Sequence, residues 1–176
     1  MEALSIAEKL DSYSSVILSM GMVTGCYFLI SFGFTMRARS AVFKGTFMKE
    51  FKDTHLKNFP DDKRPPDAGY PDCGSGWYSK QLPYGDWFKM NCAQRCQMNY
   101  LEQLPVVLVA ILIMGIEYPT RTLILSSLYC VARLMYSFGY MKSPRGRIVG
   151  AIAQDLILVA MLLTAYYVGV QFALSK

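Results

Sequence analysis

The chain has 176 residues, room for one domain, and 53% of them are hydrophobic, 18% charged, with a net charge of +5. The apolar residues come in long blocks, a pattern that excludes an ordinary soluble domain, because about 20 apolar residues cover the hydrocarbon core of a bilayer. The excess positive charge lies beside those blocks, which argues against nucleic acid as a partner.

Residues 2–14 read as a short amphipathic lead-in, with three acids and one lysine. That is the wrong flank for a cleaved signal peptide. The first span, residues 15–36, carries no charge at all. Residues 37–87 form the only long polar stretch, basic and aromatic at first and then rich in Pro, Gly and Asp. It shows no helical or strand period, and a polar loop of this length is functional or disordered. Its aromatics, Trp77, Tyr78, Tyr84 and Trp87, argue for ordered packing.

The second span, residues 91–116, begins as a polar-faced helix and becomes wholly apolar. Arg95, Asn99, Glu102 and Gln103 fall at i, i+4, i+7 and i+8 and share one stripe. Ionisable groups at this depth face the protein interior or a water-filled cavity. Two readings stand: an internal Arg95–Glu102 salt bridge, or a pocket for a small molecule carrying both charges. The third span, residues 119–141, contributes Arg133, Tyr136 and Tyr140 at i, i+3 and i+7. The two tyrosines also suit an interfacial aromatic belt. The fourth span, residues 148–174, opens after Arg147 and contains Asp155. Arg133 and Asp155 lie at similar depths from the basic side, so a cross-helix ion pair is expected. Short turns join the last three spans and make them antiparallel neighbours. The fold class is therefore all-α, a four-transmembrane-helix bundle, as a single membrane domain over residues 1–176.

Charge orients it. Ten Lys or Arg lie between Met36 and Asn91, and the third turn adds Lys142, Arg145 and Arg147, against Lys9, Arg121 and Lys176 on the other side. The positive-inside rule puts loop 37–87 on the cytosolic or equivalent face and both termini opposite. That face attracts anionic headgroups and ligands. The five cysteines are scattered and odd in number, so no disulfide framework is expected. Cys92 and Cys96 are i, i+4, but the single histidine, His55, is remote in sequence, so no metal site is expected.

Two stretches, NCAQRCQMNYLEQLPVVL (residues 91–108) and ARLMYSFGYMKSPRGRIVGAI (residues 132–152), resemble the MAPEG family, the membrane-associated proteins in eicosanoid and glutathione metabolism. Within it the chain is most similar to type 3 microsomal glutathione transferases. The likeness runs from Ser15 onward, with one long loop after the first span. It implies a homotrimer with glutathione, the co-substrate, held between subunits near the cytosolic face. By position, Arg95, Gln97, Asn99, Glu102, Tyr136 and Tyr140 match glutathione-contacting residues, with Glu102 on the amino group and Arg95 and Arg37 or Arg39 on carboxylates. Arg147 matches the position that stabilises the thiolate, although the short turn leaves Arg145 as a substitute. The chain departs from the family at Cys96-Gln97, at Gln103, which removes one possible ligand contact, and at Gln154 and Asp155, where relatives are apolar. The implied activity is glutathione transfer to lipophilic electrophiles, or reduction of lipid hydroperoxides, in the endoplasmic reticulum or a mitochondrial membrane. A non-catalytic structural or adaptor subunit of a larger membrane complex is the alternative, and membrane lipids are partners in either case.

Overall fold

The computed structural model describes residues 6–175, with side chains from Tyr13 onward. Much of the lead-in at residues 2–14, with Lys9, and the terminal Lys176 therefore fall outside the described side chains. Among the described residues there is no strand. Helix α1 (Ile6–Ile30) runs on through a π-helical turn, Ser31–Met36, into α2 (Arg37–Val42). Two short helices follow, α3 (Gly45–Lys49) and α4 (Lys52–Asn58), and then three long ones, α5 (Tyr84–Met114), α6 (Pro119–Lys142) and α7 (Ile148–Leu174). Four helical stretches are long and apolar enough to cross a membrane: Tyr13–Val42 and the three long helices.

The chain divides into two compact units, one made of its beginning through Phe28 and its end from Met98, the other of Leu29–Gln97. The first is the helix bundle. Helix α1 meets α5 where the Tyr100 hydroxyl donates to the Val23 carbonyl at 2.8 Å and the Tyr27 and Tyr100 rings meet edge to face, 5.6 Å between centroids. Helices α6 and α7 pack through glycines. A Cβ on Gly150 would strike the backbone of Tyr136, and one on Gly139 the carbonyl of Gly146. Small residues let helix backbones approach closely in lipid, where apolar burial alone does not drive association. Pro105 lies inside α5 without ending it, as happens in membrane helices whose freed carbonyls find other donors.

The second unit orders the long polar stretch. Phe43, Met48 and Met90 form a small core with Val42, Phe47, Tyr78 and Leu82 against it. The Thr35 hydroxyl donates to the Ala93 carbonyl at 3.0 Å. A turn built on Asp72 closes the unit. Its buried carboxylate accepts from the backbone N–H of Gly74 (2.7 Å), Gly76 (3.0 Å) and Ser79 (2.7 Å) and from the Ser79 hydroxyl (3.0 Å). The Trp87 indole and the Asn91 amide both donate to the Gly74 carbonyl at 3.0 Å. Gly74 is required there: its φ is +104°, and a Cβ would lie 2.7 Å from Asn91 Oδ1. Burial raises the Asp72 carboxyl, but the three N–H donors and the hydroxyl outweigh it and hold the group below its ordinary value.

Candidate functional site

The polar residues of the bundle converge on Arg133, which is 0% exposed. Its Nε donates to the Tyr129 hydroxyl at 2.9 Å and its Nη1 to Asn99 Oδ1 at 2.8 Å. Its Nη2 donates to Gln103 Oε1 at 2.7 Å and to the Asn99 carbonyl at 3.2 Å. The guanidinium also lies 4.4 Å from the centre of the Tyr100 ring and 5.2 Å from that of Tyr129. A buried cation is tolerated when its desolvation is offset, and four hydrogen bonds and the aromatic faces do so here.

Gln103 carries the network onward. Its Oε1 also accepts from the Tyr129 hydroxyl at 3.0 Å, and its Nε2 donates to Asp155 Oδ1 at 3.1 Å. Arg133 and Asp155 are thus joined through an amide, where a direct ion pair was expected. The reason is geometric: Asp155 sits on an exposed flank of α7, while the Arg133 side chain turns inward to α5. Gln154, one residue earlier and 2% exposed, faces the interior and donates to Asn99 Oδ1 at 3.5 Å.

The stripe read along α5 therefore splits. Asn99 and Gln103 point to Arg133, whereas Arg95 and Glu102 are exposed. Arg147, just before α7, is half-buried and donates from Nη1 to the Tyr136 hydroxyl at 3.4 Å. Its guanidinium lies 5.1 Å from the Tyr140 ring centre, and the two tyrosine rings stand 5.6 Å apart. The Tyr136 hydrogen bond raises the Arg147 guanidinium above its ordinary value, against the opposing effect of burial, so this cation is permanent. Arg145 is exposed.

The remaining expected residues belong to the second unit. Arg37 is exposed and Gln97 half-buried. Arg39 is 4% exposed, its guanidinium 4.0 Å from the Tyr70 ring centre, and its Nε and Nη2 meet no hydrogen-bond acceptor among the described residues. A buried guanidinium with two unmet donors suits an anion.

Sequence reasoning missed Tyr100 and Tyr129 as partners of Arg133. Tyr129 was signalled by its place four residues before Arg133 on α6. Tyr100 had no such signal, since it adjoins Asn99 in sequence and meets the arginine only through packing.

A comparison with curated proteins finds no match for the chain. A comparison with family models finds one: the MAPEG family model matches residues 16–167.

Proposed function

The chain belongs to the MAPEG family, and from that premise we propose that it is a glutathione-dependent membrane enzyme of the type 3 microsomal kind, acting on lipophilic electrophiles or lipid hydroperoxides. The observation that carries this reading is Arg147, held at the head of α7 by the Tyr136 hydroxyl and the Tyr140 ring. A permanent guanidinium beside a bound thiol lowers the thiol's pKa, and the thiolate is the nucleophile. The thiolate attacks an electrophilic carbon, forms the C–S bond and expels the leaving group. With a hydroperoxide it attacks the terminal oxygen and releases the alcohol; a second glutathione then condenses with the sulfenic acid to give the disulfide and water. Arg147 has these tyrosine contacts and the exposed Arg145 does not, which favours Arg147 for the role.

Glu102 takes the ammonium of glutathione, and Arg95 with Arg39 or Arg37 takes its carboxylates. Gln97, Asn99, Tyr136 and Tyr140 complete the contacts. The unmet donors of Arg39 support an anionic ligand. Arg95 and Glu102 are exposed on the single chain, which supports a site completed by a neighbouring copy in a homotrimer. The membrane is that of the endoplasmic reticulum, with a mitochondrial membrane as the other possibility, and the long loop faces the cytosolic or equivalent side.

One observation favours the second reading, a non-catalytic subunit of a larger membrane assembly. Asn99 and Gln103 are committed to Arg133, so part of the polar stripe serves the fold and survives without a ligand. Turnover of glutathione with a lipophilic electrophile separates the two readings. An enzyme shows saturable conjugation that falls on the order of 10²-fold in Arg147→Ala. Folded protein with no conjugation and no hydroperoxide reduction supports the subunit.

A further inference from the structure

The second unit contains a cavity of about 260 Å³ that the glutathione reading does not use. Helix α4 lines one side with Thr54, His55 and Asn58, flanked by Phe51 and Phe59, and Trp77 and Tyr78 close the other. The Phe51 and Tyr78 rings meet edge to face at 4.9 Å, and the His55 and Phe59 rings lie 5.1 Å apart. The rim is unpacked: Trp77 is 69% exposed and Phe59 58%.

The chemistry of the walls selects a guest. No lysine or arginine lines the cavity, so no permanent cation there draws an anion. The Asp62 carboxylate is paired with His55 Nε2 at 2.8 Å, which places a negative charge beside one of the lining residues. Aromatic faces attract cations through the ring quadrupole, and a methylated ammonium, weakly hydrated and without N–H donors, is the cation they suit best. A primary ammonium keeps three N–H donors and a tighter hold on water, so it gains less from aromatic faces than a quaternary one does.

Place supplies the source. Residues 43–83 connect two membrane helices, Tyr13–Val42 and Tyr84–Met114, and Trp77 and Tyr78 lie just before the second of them. Tryptophan and tyrosine are enriched at headgroup level. Lys52 and Lys57 are exposed on the same short helix, so the segment carries positive charge as well as aromatic rings, a combination that suits a headgroup region with phosphates. We propose that this aromatic cavity is a binding site for the choline headgroup of phosphatidylcholine, one lipid per chain.

The test uses the full-length protein in nanodiscs of equal phosphatidylcholine, phosphatidylethanolamine and phosphatidylglycerol, released into native mass spectrometry. The expected result is one retained phosphatidylcholine per chain, at least fivefold over phosphatidylethanolamine. Trp77→Ala and Phe59→Ala should each bring that ratio to the bulk value, while Trp77→Phe preserves it. Both side chains are rim residues, so the variants are expected to fold; helical circular dichroism checks this. Retention at the bulk ratio, or an undiminished preference in both alanine variants, overturns the proposal. Binding of soluble phosphocholine without a phosphatidylcholine preference assigns the cavity to a soluble ligand and overturns the lipid site. Glutathione binding is read separately and is expected unchanged in both variants.

Discussion

Arg133 Nη2 donates to Gln103 Oε1 at 2.7 Å, the shortest hydrogen bond the guanidinium makes. Gln103 also takes the Tyr129 hydroxyl and passes a hydrogen bond to Asp155, so one amide side chain couples α5, α6 and α7. Gln103→Leu keeps the volume but leaves Arg133 Nη2 with only the Asn99 carbonyl at 3.2 Å and removes the acceptor of the Tyr129 hydroxyl. The expected cost is about 2–3 kcal/mol, the range for a lost hydrogen bond to a buried charge, read as a lower midpoint in thermal melts of the detergent-solubilised protein.

Asp155→Asn separates charge from hydrogen bonding. The asparagine Oδ1 accepts from Gln103 as the carboxylate did, so the expected loss is under about 1 kcal/mol, with glutathione affinity unchanged. A midpoint drop equal to that of Gln103→Leu contradicts the bridged arrangement and restores a charge pair.

Gly150→Ala places a methyl against the backbone of Tyr136. Backbone cannot rotate away as a flexible side chain does, so α6 and α7 must separate, at about 1–3 kcal/mol for an overpacked contact. The shift moves Tyr136 away from Arg147, and any thiolate-dependent rate falls with it. Melting and turnover on the same preparation check both halves; a wild-type midpoint contradicts the tight packing.

The four spans were legible because hydropathy and length report them directly. The end of the first was not: helix geometry continues beyond the charge boundary at Met36, through Arg37 and Arg39 to Val42, because arginine is a good helix former and a charge does not by itself end a helix. The loop looked aperiodic because α3 and α4 have 5 and 7 residues, too few to display a period. In the site, Tyr136, Tyr140 and Arg147 were grouped through the family resemblance and their common basic side, and the Tyr136–Arg147 hydrogen bond itself is visible only in the structure. The partners of Arg133 were not legible either, since Gln103 reads in sequence as an absent ligand contact and only packing reveals what it binds.

The Asp72 turn gives the long loop an acid limit. The carboxyl lies below its ordinary 3.8 in the folded protein, so its contribution is fully present above that value and is lost as pH falls through the lower folded value. Hydrogen exchange of residues 72–82 should therefore stay slow at pH 5 and quicken only in stronger acid. Asp72→Asn lacks one charged acceptor at every pH, and its exchange should be faster already at pH 7. Equal protection in variant and wild type contradicts the role given to this turn.

The central claim, a glutathione site on this chain, is tested most directly by equilibrium binding of glutathione to the purified, detergent-solubilised protein beside Glu102→Gln. Saturable binding that Glu102→Gln weakens at least tenfold, about 1.4 kcal/mol, is the predicted result. No binding at millimolar glutathione by folded, oligomeric protein contradicts it, and leaves the chain as a structural member of its family.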